Sequence, residues 1–183
     1  MVTLETARLT LRELTLDDAP ALNAVDGDPE VARWNGFDPP DLDGTRGYIE
    51  NVMRDAGVMP RQYITLAVVT RTDNRLIGRC GFDRDGPDLL FGMVGYALRH
   101  DQWGKGYMTE AVRALVAYGF AELGLHRIWS ECDPRNIGSW RVLEKAGMRR
   151  EGHMRENFRY PNGEWVDTFL YAILAREWNA ANR

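Results

Sequence analysis

At 183 residues the chain is long enough to bury a core of its own, and with 44% hydrophobic and 27% charged residues it has the balance of an ordinary soluble globular protein without low-complexity tracts. A formal charge of −4 speaks against a protein that binds nucleic acid by neutralising phosphates, and it leaves room for a cationic partner. No apolar run approaches the ~20 residues that span a bilayer, "MVTLETARLTLREL" lacks a signal-peptide layout, and the two cysteines, Cys80 and Cys132, have no CxxC spacing and read as buried thiols, so the expectation is a cytoplasmic protein off the membrane.

The first elements are short and amphipathic. "ARLTLREL" alternates apolar Ala7, Leu9 and Leu11 with polar Arg8, Thr10 and Arg12, the mark of a half-buried strand. Thr15 followed by Asp18 resembles a capping box that opens a helix through "LDDAPALNAV". Asp, Pro and Gly crowd the segment from Asp26 to Gly44, which reads as loop or broken helix, and "TRGYIENVMRDAG" is a second helix stopped by Gly57. Strand-like runs follow in "QYITLAVVT", "RLIGRCGFD" and "LLFGMVGYALR"; the turn stretches "RTDN" and "RDGPD" separate them closely enough for an antiparallel meander. A long helix starts near Gly104, with Met108, Val112, Leu115 and Val116 on one face. "HRIWSEC" is then a strand that the preceding helix allows to lie parallel to "MVGYALR". "GSWRVLEKA" is a short helix ended by Gly147, and "YPNGEW" turns a final hairpin. The sum is an α/β (α+β) chain in one domain, residues 1–183: a mixed, mostly antiparallel sheet of about seven strands with about four helices on its two sides.

The stretch "WGKGYM" at the doorstep of the long helix carries the chemistry. A helix N-terminus presents unpaired N–H groups and the positive end of the macrodipole, and glycine lets a charged group approach that backbone closely. Gly104, Lys105 and Gly106 therefore read as an anion cradle, with Lys105 adding charge; the plain alternative is a tight strand-to-helix turn. The Walker pattern fails because Gly106 follows Lys105, and the dinucleotide pattern fails because Thr109 stands where its third glycine belongs.

These residues, together with "LETARLTLREL", "NIGSWRVLEKAGM" and "NGEWVDTFLYAIL", resemble the GNAT superfamily of acyl-CoA N-acyltransferases, in its RimJ/RimL-like branch of ribosomal-protein N-terminal acetyltransferases and their relatives. The superfamily's Q/R-x-x-G-x-G/A motif falls on Trp103, Gly104, Lys105, Gly106, Tyr107 and Met108, with Trp103 and Met108 departing from it. A loop that acts through backbone N–H groups tolerates such departures.

The resemblance implies acetyl-CoA, or a close acyl-CoA, as cofactor, with its pyrophosphate over Gly104 to Met108 and with Trp103 and Thr109 also among the cofactor-binding residues. It implies a splay between the fourth and fifth strands in which pantetheine runs along Tyr96, Ala97 and Leu98. It implies direct transfer of an acetyl group to a primary amine in a ternary complex, which leaves no role for a Cys132 acyl-enzyme; a binding module without catalysis is the alternative. Asn136 and Ser139 match the family's Asn-x-x-Ser, Asn136 on the pantetheine arm and Ser139 as proton donor to the leaving thiolate, although short polar residues there also serve as helix caps. Lys145 is placed within reach of the 3′-phosphate, or is simply a solvated charge. Tyr96 and Tyr107 are the next candidates for the acid. For the base, Glu156 alternates onto the face of Met154 and Phe158, and Asp101 is a second candidate. Glu110 reads as a first-turn acid favouring the helix dipole. His100, His126 and His153 lack metal-ligand spacing, and no metal is expected. The acceptor is an amine of a peptide N-terminus or a small molecule. The cluster Asp26, Asp28, Glu30, Asp38, Asp41 and Asp43, with Trp34 and Phe37, points to a cationic one, and a homodimer is compatible with all of this.

Overall fold

The computed structural model describes residues 1–181. Its strands are β1 (Thr3–Glu5), β2 (Leu9–Glu13), β3 (Tyr63–Thr70), β4 (Leu76–Asp85), β5 (Phe91–Leu98), β6 (Arg127–Cys132), β7 (Arg149–Arg159) and β8 (Trp165–Leu174). The helices are α1 (Ala19–Asp26), α2 (Pro29–Ala32), α3 (Leu42–Ala56), α4 (Tyr107–Ala121), α5 (Ile137–Lys145) and α6 (Ala175–Ala181). The strands form one sheet in the order β1-β2-β3-β4-β5-β6-β8-β7, antiparallel at every pairing except β5 with β6. Three elements add to those read from the sequence. β1 has three residues, too few to display a period, and becomes a strand by pairing Thr3–Glu5 with Thr10–Arg12. α2 is a single turn started by the Asp28 side chain, which accepts from the Glu30 N–H at 2.9 Å. α6 follows β8 directly, where the Leu174 N–H donates to the Glu177 carboxylate at 3.0 Å.

Because strand side chains alternate, β3 feeds two cores at once. Ile64, Leu66 and Val68 pack with Met108, Val112, Leu115 and Val116 of α4. Ala67 and Val69 face the other way, against Leu22 and Val25 of α1 and Ile49 of α3. The α4 face is the one its 3.6-residue period marks, and complete burial of a leucine such as Leu115 is worth roughly 1.5–3 kcal/mol. The core beneath α1 and α3 includes Ala97 of β5 and no residue of β6, β7 or β8 among those described, so on that side the β6–β8–β7 half of the sheet lacks a helical cover.

Between these halves the sheet opens. β5 and β6 pair over Phe91–Met93 and Arg127–Trp129. One step further, Ser130 Oγ donates to the Val94 carbonyl at 2.8 Å, and the ladder ends there. The splay expected between the fourth and fifth strands therefore lies between β5 and β6.

Candidate active site

Chain direction reverses into α4 through Gly104 and Gly106, at φ +75° and +80°. Those left-handed conformations are why the helix begins at Tyr107 rather than at Gly104, and only glycine adopts them without strain. Gly106 caps the helix without any side-chain oxygen, and among the described residues no protein acceptor bonds to the N–H groups from Gly104 to Thr109. A side-chain carbon at Gly104 would meet nothing within 4 Å, and one at Gly106 would meet only Arg8 Nη2 at 3.5 Å. The donors are thus bare and the space before them is open. Met108 turns its side chain into the core and contributes only its N–H, which explains why a residue other than Gly or Ala is accepted there.

Arg8 sits beside this turn and was not among the residues the sequence singled out. Glu110 holds it: Oε1 accepts from Thr6 Oγ1 at 2.6 Å and from the Arg8 N–H at 2.8 Å, while Oε2 accepts from Arg8 Nε at 2.7 Å. Burial alone would raise the Glu110 carboxyl, but these donors outweigh it and hold it below the ordinary value. The Arg8 guanidinium donates to the Lys105 carbonyl at 3.0 Å and lies 4.4 Å from the centre of the Tyr107 ring. Thr6, Arg8, Gly106, Thr109, Arg113 and Lys145 line an open cleft of ≈ 520 Å³ at the head of α4. Lys105 faces elsewhere, its Nζ donating to the Asp101 carbonyl at 2.8 Å and to Gln102 at 3.1 Å. The cationic side of the cradle is therefore Arg8, Arg113 and Lys145.

In the splay, strand alternation decides which backbone groups are free. Arg99 N–H donates to the Ile77 carbonyl at 2.8 Å, toward β4, whereas the Val94 carbonyl points to β6. The antiparallel ladder alternates between these two settings, so Ala97 and Gly95 point their N–H and C=O at β4, and Tyr96 and Leu98 point theirs into the gap. Trp103 occupies one of these: its indole N–H donates to the Leu98 carbonyl at 2.8 Å. The Trp departure from the motif thus closes one end of the gap.

Ser139 stands across the gap, at the start of α5. Asn136 is the cap of that helix, its Oδ1 accepting from the Ser139 N–H at 3.1 Å, so the cap role falls to Asn136 and the Ser139 hydroxyl is left for other work. The Tyr96 phenol lies 2.9 Å from Ser139 Oγ and donates to the Ser139 carbonyl at 3.0 Å. Burial pushes the Tyr96 phenol well up, which keeps it protonated. Burial likewise raises the neighbouring Cys132 thiol to about 11, a poor setting for a nucleophile.

An acetyltransferase (GNAT) domain model matches residues 8–149. A Bacillus licheniformis protein named an uncharacterized N-acetyltransferase, p20, is 32% identical over 179 residues, which cover 97% of this chain and 99% of that one. The [ribosomal protein uS5]-alanine N-acetyltransferase of Escherichia coli is 31% identical over 85 residues, 46% of this chain and 43% of the relative. The crystal structure of a GNAT-family acetyltransferase from Bacillus anthracis superposes with a TM-score of 0.85 at 29% identity, covering 96% of this chain and 99% of that one. The chain belongs to the GNAT acetyltransferase family.

As a GNAT protein with RimJ/RimL-like relatives it is an N-acetyltransferase that draws on an acyl-CoA donor. The cradle fits such a donor: bare N–H groups, open space before both glycines and three cations alongside. Other residues singled out from the GNAT resemblance lie differently. The alternation through Met154, Glu156 and Phe158 is broken, because the register shifts between Met154, opposite Thr168, and Phe158, opposite Val166. Glu156 sits in this bulge at φ +45°, its N–H donating to Asp167 Oδ1 at 2.9 Å and its side chain exposed. Asp101 is paired with Arg99 at 3.0 Å and Arg75 at 3.6 Å and is held below the ordinary value, first by Arg99.

The acidic segment is mostly committed to its own chain. Asp26 is buried against Arg79 at 2.9 Å, and Asp28 and Asp41 accept from the backbone at the starts of α2 and α3. Glu30 pairs with Arg33 and Asp43 with Arg46. Asp38 is what remains. A side-chain carbon on Gly36 would stand 2.6 Å from the Phe158 ring, so this segment rests against Phe158 of β7.

Proposed function

We propose that the donor is acetyl-CoA, the acceptor is the α-amino group of a polypeptide, and the two meet in the gap between β5 and β6. The run of unbonded N–H groups from Gly104 to Thr109, with the open cleft before them, is the observation that carries this reading. Those groups suit a pyrophosphate, with Arg8, Arg113 and Lys145 beside them for the 3′-phosphate. Among the described residues the backbone groups of Tyr96, the Leu98 N–H and the Asn136 amide nitrogen have no hydrogen-bond partner, and all of them suit the pantetheine arm. When bound, acetyl-CoA supplies a thioester, an acyl group already activated toward amines.

The chain's own groups do the rest. A backbone N–H at Tyr96 or Leu98, fixed in the sheet, is a preorganised donor for the oxygen that gains charge as the amine attacks. Ser139 Oγ, backed by the Tyr96 phenol at 2.9 Å, supplies the proton for the departing sulfur. The choice of a polypeptide amine rests on the uS5-alanine acetyltransferase among the relatives and on the long open flank of β6–β8–β7. The test is thiol release from acetyl-CoA with peptides bearing a free α-amine, the same peptides blocked at that amine, polyamines and amino sugars. Release with the free peptides and none with the blocked ones is expected. Turnover confined to small amines would remove the polypeptide acceptor, and binding of ATP or NAD in preference to CoA would remove the donor assignment.

A further inference from the structure

A guanidinium carries five N–H donors in a planar fork, and each donor taken out of water without a partner costs stability. Arg79 of β4 leaves most of its donors unused. Its side chain is 14% exposed, and among the described residues its one hydrogen bond runs from Nε to Asp26 Oδ2 at 2.9 Å. Arg61 and Arg84, buried about as deeply, each bond through both Nε and Nη1. Building on the transfer reading above, we infer that Arg79, walled by Phe37 and Tyr48, binds a carboxylate carried close to the acceptor amine. In a polypeptide that carboxylate is the side chain of an acidic first residue.

The way Asp26 holds Arg79 is the first ground. The Arg12–Asp18 pair is fork to fork, Nη1 to Oδ2 and Nη2 to Oδ1, both at 2.7 Å, and each partner satisfies the other. Asp26 instead meets Arg79 side-on through Nε. Its Oδ1 is sealed from solvent without a partner, and Nη1 and Nη2 of Arg79 have none among the described residues. Those two nitrogens are not among the sealed unpartnered atoms, so solvent reaches them. The Nη1–Nη2 edge is a setting in which a second carboxylate accepts two parallel bonds. The chain brings none to it, since the acids of the segment before α3 are committed elsewhere and the exposed Asp38 makes no bond to Arg79.

The walls are the second ground. Arg79 Cζ lies 5.9 Å from the centre of the Phe37 ring and 5.5 Å from that of Tyr48, and both rings are exposed. Rings beside a guanidinium keep water from it and strengthen a charge-assisted bond made there. The Tyr48 hydroxyl, without a partner among the described residues, is a further donor on that wall.

Placement is the third. Arg79 stands opposite Ala97 in the β4–β5 ladder. Ala97 lies under the α1 and α3 core, whereas Gly95, two positions away on the same face, is exposed, and a side-chain carbon there would meet nothing within 4 Å. Arg79 therefore marks the margin where helical cover ends, one strand in from the β5–β6 gap. Neighbouring strands lie about 4.8 Å apart, so an acceptor whose amine enters the gap over Gly95 has the groups a few bonds from that amine within reach of Arg79.

Peptides that differ only in the first residue, Asp against Asn and Glu against Gln, test the assignment as ratios of kcat/KM. Calorimetry of their Nα-acetylated products on the CoA-bound protein reads the same preference without turnover. Wild-type protein should favour the acidic member by ~10- to 150-fold, mainly through KM, and bind its product more tightly by a similar factor. Arg79→Met, which keeps an apolar stem, should bring both ratios to near one, and Arg79→Lys should leave intermediate ones. A folded Arg79→Met that keeps the wild-type ratios, whatever its absolute rates, overturns the inference, as do wild-type ratios of one or below. Should Arg79→Met fail to fold because Asp26 is left buried and unpaired, the double variant Asp26→Asn/Arg79→Met is read in the same way. Turnover confined to free aspartate and glutamate, lost in their α-amides and in Arg79→Met, supports the carboxylate site and removes the polypeptide acceptor. Wild-type protein that releases no thiol with any amine removes the transfer reading and this assignment with it.

Discussion

Gly106→Ala separates the fold's need for this residue from the ligand's. In the folded chain Gly106 holds φ +80° and ψ 4°, where an L-residue costs roughly 1–2 kcal/mol. No steric cost adds to this, because the new carbon's nearest neighbour is Arg8 Nη2 at 3.5 Å, the end of a flexible side chain. For a chain of 183 residues, at about 2–4 °C per kcal/mol, the melting temperature should fall by about 2–8 °C. The same methyl stands where the phosphate oxygens must approach. Loss of one charge-assisted hydrogen bond, about 1.5–3 kcal/mol, weakens binding roughly 10- to 150-fold. Calorimetric titration with CoA and a thermal melt by circular dichroism measure both numbers on one sample. Gly104→Ala, whose new carbon meets nothing, should behave in the same way. A Gly106→Ala protein that melts within those few degrees and binds CoA as the wild type does would refute the cradle.

Ser139→Ala should lower kcat by about 10²- to 10⁴-fold with little change in CoA affinity, and Tyr96→Phe by less; a larger loss for Tyr96→Phe in steady-state assays would make the phenol the donor. Glu110→Gln should destabilise the fold by about 1–2 kcal/mol and weaken CoA binding by releasing Arg8, read from urea midpoints and calorimetry. Because the Glu110 carboxyl is held below its ordinary value, its contribution is present above about pH 4–5 and lost as pH falls further, so the acid limb of the wild-type stability curve should be steeper than that of the variant. Burial raises the Cys132 and Cys80 thiols to about 11 and about 12, so iodoacetamide near pH 8 should label them only as the protein unfolds; rapid labelling of the native chain would contradict that burial.

Local order was legible because it is written locally. The alternation in β2, the apolar run of β3 and the 3.6-residue stripe of α4 each report on one element, and the paired glycines before α4 report on one turn. What escaped depends on segments distant in the chain. Arg8 reaches the cradle through bonds to Glu110, more than a hundred positions away, and nothing in "ARLTLREL" marks it. The acids between Asp26 and Asp43 look like a free rim in sequence, yet Asp26 is neutralised by Arg79 of β4. Glu156 was placed by an alternation that a bulge interrupts.

Direct passage of the acetyl group from donor to amine across the β5–β6 gap is tested by one measurement: initial rates with acetyl-CoA and a free-amine peptide varied together, with intact-protein mass spectrometry on samples quenched in turnover. Intersecting double-reciprocal lines and unmodified protein are the predicted result. Parallel lines with an acetyl group on the protein, at Cys132 above all, would contradict it.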